Sequence, residues 1–139
     1  MEGDLSVLVH GPREGVRFDA LQQVFEHIHA RRRTGHIRLI AEVYRRDQPE
    51  RERKFYQQVS TCHKQHKRWE SSGGMWVGNG DSPEAQMKEL AKWCVWDQEK
   101  GCEVLAVVFL PAEGHPEYKR INYLINYLRK KDIRTVVKR

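Results

Sequence analysis

The stretch that decides the fold is Ser82 to Val137, which runs from S-P-E-A-Q-M-K-E-L-A-K-W-C through G-C-E-V-L-A-V-V-F-L-P to K-K-D-I-R-T-V-V. Ser82 suits an N-cap and Pro83 the first helical position, where a missing N–H costs nothing. Met87, Leu90, Ala91 and Cys94 then recur at helical spacing and draw one apolar stripe, and Gly101 supplies the stop. From Val104 to Leu110 the chain is continuously apolar and rich in β-branched residues, as in a strand covered on both faces. After Pro111-Ala112-Glu113-Gly114-His115, Pro116 opens a second helix with its stripe at Ile121, Leu124, Ile125 and Leu128. Asp132 ends it, and Ile133 to Val137 forms a last strand. Strands joined by a helical crossover run parallel, with a right-handed connection.

Working outward, Leu5 to Val9 is a short apolar strand leading into H-G-P-R-E-G. Phe18, Leu21, Val24, Phe25 and Ile28 then mark a helix closed by Arg31-Arg32-Arg33 and Gly35. Ile37 to Val43 alternates in the manner of an outer strand with one exposed face. Pro49 permits another helix start, and Phe55, Val59, Cys62, His66 and Trp69 form a narrow seam on a largely polar helix. Met75 to Val77 makes a very short strand. The order β-α-β-α-β-α-β-α-β predicts a single α/β domain over residues 1–139, a doubly wound, flavodoxin- or Rossmann-like, mostly parallel five-stranded sheet with flanking helices. The default strand order for it is 2-1-3-4-5.

The chain has 139 residues, a length at which a fold buries about two-thirds of its unfolded surface without a disulfide or metal staple. Three cysteines without framework spacing, no apolar leader and no run of membrane length predict a reducing, cytoplasmic setting with no membrane partner. The net charge of +6 is concentrated. Residues 31–68 hold twelve Lys and Arg against four Asp and Glu, a net +8, whereas residues 1–30 hold two against five. Such a block attracts phosphate backbones or an acidic protein face, and it equally describes a solvated surface.

The candidate nucleic-acid contacts within the basic 31–70 segment are Arg31, Arg32, Arg33, Arg38, Arg45, Arg46, Lys64, Lys67, Arg68 and Trp69. Tyr44 and Tyr56 lie among them, which adds stacking surfaces to phosphate-pairing cations. The expected partner is nucleic acid or the acidic face of a nucleic-acid machine, as for a phage or mobile-element regulator.

The alternative site is a nucleotide edge. In the expected strand order, the loops after strands one and three, His10 to Gly15 and Gly78 to Ser82, face each other at the reversal, where open α/β sheets bind ligands, with Pro111 to His115 beside them. Gly11 and Arg13 would then meet Gly78, Asn79, Gly80, Asp81 and Ser82, with a helix N-terminus available to a phosphate. Neither loop completes a known phosphate fingerprint, and short Gly- and Pro-rich connections explain both. The V-L-V-H-G-P-R-E-G stretch with G-N-G-D-S resembles Rossmannoid nucleotide-binding proteins of the SLOG type, which implies a nucleotide or nucleotide-derived ligand. S-P-E-A-Q-M-K-E-L through H-P-E-Y-K-R-I-N-Y-L is similar in rhythm to the catalytic domain of serine recombinases. The residues before Ser82 read M-W-V-G-N-G-D, without that family's serine, so the likeness extends to fold alone.

Other chemistry finds less support. His27-Ile28-His29 and Tyr127 match the histidine pair and tyrosine of HUH nucleases, yet both fall on helical patterns that point the histidines apart. Cys62 and His66, with His63 nearby, stand one helical turn apart and could supply two zinc ligands, but the sequence names no third. No catalytic residue, metal or cofactor is therefore assigned. Trp93 and Trp96, with Tyr123 and Tyr127, lie off the core stripes, where they suit either a self-association surface or a thicker buried face.

Overall fold

The computed structural model describes residues 5–31, 37–43, 54–65, 74–77 and 82–139. Its elements are β1 (Leu5–His10), α1 (Phe18–Arg31), β2 (Ile37–Val43), α2 (Lys54–Gln65), β3 (Gly74–Val77), α3 (Pro83–Glu99), β4 (Glu103–Phe109), α4 (Tyr118–Lys130) and β5 (Arg134–Lys138). This is an α/β fold with a parallel sheet and helices on both faces.

The strands lie in the order β3-β2-β1-β4-β5, and every neighbouring pair is parallel. The expected order 2-1-3-4-5 is therefore corrected. β2 is an interior strand between β1 and β3, not an outer one. Burial explains the centre of the sheet: all six residues of β1 are buried, as are six of the seven in β4, and these two apolar strands pair along their length. Among the described residues, the four-residue β3 pairs with Ile40 to Val43, and a short strand suits a sheet edge.

Alternation along the strands divides the core in two. Leu5, Val7 and Val9 of β1, with Leu105, Val107 and Phe109 of β4, face α1 and α2. Leu8, Val104, Ala106 and Val108 face α3 and α4. The stripes of α3 and α4 are buried, as are Leu21, Val24, Phe25 and Ile28 of α1 and Phe55, Val59 and Cys62 of α2; Phe18 is only partly buried, and His66 and Trp69 lie outside the described residues. Ser82 caps α3 by accepting the Ala85 N–H at 3.1 Å. Trp93 and Trp96 are exposed and meet edge to face at 5.4 Å, whereas Tyr123 and Tyr127 stack half-buried against the second core. Deep beneath α3, the Ser6 hydroxyl donates to Asp97 at 2.6 Å and fastens that helix to β1.

Candidate functional site

Because β4, not β3, is the neighbour of β1 across the reversal, the loops that meet at the carboxyl edge are 11–17 and 110–117. Six ionisable side chains converge there: His10, Arg13, Glu14, His115, Glu117 and Arg120. His10 ends β1 fully buried, and its Nε2 lies 3.2 Å from an Arg120 guanidinium nitrogen. Arginine only donates, so Nε2 accepts and the ring proton sits on Nδ1. The other Arg120 terminal nitrogen donates to Glu117 Oε1. Glu117 Oε2 accepts the Arg13 backbone N–H at 2.8 Å, and the Arg13 Nε lies 3.8 Å from Oε1. Glu117 stands at the N-cap of α4 without capping it, so its carboxylate is turned to the β1 loop while still near the positive end of the helix.

A second tie lies at the rim. His115 Nε2 is 2.5 Å from Glu14 Oε1, and His115 Nδ1 accepts the Glu117 N–H at 3.0 Å. That backbone bond fixes the tautomer: with Nδ1 accepting, Nε2 carries the proton that Glu14 receives. Glu14, His115 and Glu117 bring ligand atoms within 4.8 Å of one another, the density of a metal site. The donor set does not suit a cation. Nε2 would have to give up its proton, and both Glu117 oxygens already accept hydrogen bonds. The arrangement instead links two loops across the reversal.

The glycines of the first loop have packing roles. A Cβ on Gly11 would stand 2.7 Å from the Phe55 ring, so this close approach lets α2 seat its aromatic anchor. Gly15 adopts φ +96°, a conformation that favours glycine. Gln58 of α2 receives the Val16 N–H at 3.0 Å and donates to the Val16 carbonyl at 2.7 Å, and Phe55 N–H reaches the Arg13 carbonyl at 3.2 Å. The H-G-P-R-E-G loop is thus the platform on which α2 rests.

The nucleotide edge anticipated from sequence is dispersed. β2 separates β1 from β3, so the connection carrying Gly78, Asn79, Gly80 and Asp81, outside the described residues, does not leave the strand beside Gly11 and Arg13. Ser82 uses its hydroxyl as a helix cap.

Of the basic set, Arg32, Arg33, Arg45, Arg46, Lys67, Arg68 and Trp69 lie outside the described residues. Arg31, Arg38 and Lys64 belong to α1, β2 and α2, whose backbones are described. Parallel topology divides the segment between opposite ends of the sheet. Arg31 closes α1 and Ile37 opens β2 at the amino edge, and the end of α2 at Gln65 leads to the start of β3 at Gly74 on that same edge. The connection from Val43 to Lys54 leaves from the carboxyl edge, one strand length of about 23 Å away.

Sequence reasoning placed His10 and Glu14 in a loop of the ligand edge without giving them a role, and missed Glu117 and Arg120. A signal was present: Glu117 and Arg120 stand three apart where α4 begins, and Arg120 directly precedes the stripe residue Ile121. A charged residue beside a core stripe needs a partner, and Glu117 is within helical reach.

One further feature lies on the α1 side, a groove of about 620 Å³ between α1 and β5. Leu105, Val107, Phe109 and Val136 floor it, and Arg134, Lys138 and Arg139 stand along it.

No protein-family model matches the chain, and no curated protein matches its sequence. Among solved structures, a protein from the universal stress protein family from Burkholderia pseudomallei is similar at a TM-score of 0.45 and 12% identity, over 95% of this chain and 93% of that one.

Proposed function

We propose that this chain is a binding domain rather than a catalyst, and that it holds nucleic acid, or the acidic surface of a nucleic-acid machine, at the amino edge of its β2–β3 half. The observation that carries this reading is that α1 and α2 both end toward the amino edge, next to the adjacent strands β2 and β3. The connections beyond them hold Arg32, Arg33, Lys67, Arg68 and Trp69, within a segment of net +8. Clustered cations with an aromatic suit a phosphate backbone carrying exposed bases. At the carboxyl edge, by contrast, the ionisable groups engage one another. A reducing, intracellular setting belongs to the same proposal.

The test is oligonucleotide binding by fluorescence anisotropy across a salt series. If six cations meet phosphates, log K against log salt falls with a slope of about −5 on duplex DNA. Replacing Arg31, Arg32 and Arg33 with glutamine is expected to remove up to about three units of that slope, while Arg45→Gln with Arg46→Gln, in the connection that follows β2, changes it little. A flat salt dependence, or equal loss from both sets, refutes the proposal. Retention of an acidic protein after nuclease treatment favours the protein partner. The competing nucleotide reading rests on the β1–β4 reversal, and it is favoured if mononucleotides raise the melting temperature of the wild type and not of Arg13→Ala.

A further inference from the structure

Among the described residues, the sheet carries a groove on its α1 face beside β5. Right-handed crossovers from β1 to β2 and on to β3 put α1 and α2 on one face, and the crossover from β4 to β5 puts α4 on the other. Among the described elements, none covers the α1 side of β5. What remains is the groove of about 620 Å³, with Ala20, Val24 and Ile28 of α1 as one wall.

Its chemistry is asymmetric. The floor is apolar, and Val136 is only partly buried against the core below it. Arg134 and Lys138 flank Val136 at a spacing of two along β5, so all three share one face, and Arg139 follows at the end. Arg17 also lines the groove but is paired with Asp19 at 2.7 Å. No described lining residue is acidic. The five residues of β5 span about 16 Å, close to three turns of α-helix. Gln23 and His27 of α1 also line the groove, but the cations without a described acidic neighbour, Arg134, Lys138 and Arg139, stand in a row along β5 above a floor of carbon, an arrangement that suits an extended ligand better than a small anion.

We infer that the groove between α1 and β5 docks an acidic amphipathic helix supplied by a partner protein, with an apolar seam against Val107, Phe109 and Val136 and a row of carboxylates facing Arg134, Lys138 and Arg139. Helix-in-groove recognition uses such a seam at i, i+3, i+4 and i+7. This surface is separate from the β2–β3 edge assigned to nucleic acid, so either proposal can fail alone.

The experiment uses the full chain and two fluorescein-labelled helical peptides with the same leucine seam, one with glutamate and one with lysine at the remaining positions. The glutamate peptide is expected to bind saturably, with amide shifts in NMR spectra confined to α1 and β5. Val136→Glu should abolish binding. Because that variant places a charge against the core, its fold is checked by circular dichroism, and the exposed double variant Arg134→Glu with Lys138→Glu provides an independent reading. It should weaken the glutamate peptide roughly tenfold and make the lysine peptide the better ligand. Equal binding of both peptides, shifts elsewhere, or no saturation overturns the inference. A wild-type dimer dissociated by Arg134→Glu with Lys138→Glu would instead assign the groove to a second copy, and thermal stabilisation by dodecanoate without peptide binding would assign it to a small amphiphile.

Discussion

Glu117 is the residue on which the carboxyl edge turns, since one carboxylate receives the Arg13 backbone and a buried guanidinium at once. The half-buried ion pair and the loop contact are therefore one unit, in which loss of the carboxylate removes both the Arg120 pair and the Arg13 backbone contact at once. The cysteines show how burial sets chemistry at single positions. Burial pushes the Cys62 thiol up to about 11, and burial, with the nearby Asp97 charge, pushes Cys94 up to about 12. An unfolded thiol ionises near 9.0, so the folded state retains protons that the unfolded state releases above that pH. Each thiol's contribution to stability is thus complete below about pH 9 and is lost as pH rises toward the folded value, with a slope of about 1.4 kcal/mol per pH unit. Urea midpoints measured from pH 8 to pH 11 should fall less steeply for Cys94→Ala than for wild type, although the variant starts lower because it opens a cavity. Equal slopes would mean that Cys94 ionises in the folded protein as it does in the unfolded one.

At the scale of elements, punctuation made the second half of the chain legible. Gly101 at φ +89° follows α3, its N–H reaching the Gln98 carbonyl while Cys102 N–H reaches Asp97. The same pair of bonds closes α4, from Asp132 to Arg129 and from Ile133 to Leu128, but the left-handed position, at φ 59°, is held by an aspartate. Asp132→Gly should therefore stabilise the protein by about 0.5–1 kcal/mol, read as a higher urea midpoint with an unchanged m-value. A lower midpoint would indicate that the Asp132 side chain contributes more than its backbone conformation costs. The stripes of α1, α3 and α4 could be read because each buries one continuous face. The first loop could not: Gly11 looks like a phosphate-loop glycine in a linear sequence, and only the Phe55 ring, 44 positions away, shows what its missing side chain makes room for.

For the whole molecule, the alternation of strands and helices announced a parallel sheet, whereas strand order depended on which side each crossover took. Local pattern is blind to that choice, so the loop expected opposite β1 was the one after β3, with Pro111 to His115 only beside it, and Glu117 and Arg120, which also meet there, went unassigned. The basic segment shows the same limit. Contiguous in sequence, it is divided by topology between two ends of the sheet, because β2 carries the chain from one to the other. The two-sided grip of Gln58 on Val16 has a consequence for motion. It gives the amide of a loop residue the pairing of a ladder rung, with its partner on another helix. In hydrogen-exchange measurements, the Val16 amide should be protected as strongly as the amides of α2 and lose that protection in Gln58→Ala, so that one loop proton reports how often α2 lifts from the sheet. Rapid exchange of the Val16 amide while α2 stays protected would show that the grip opens by itself.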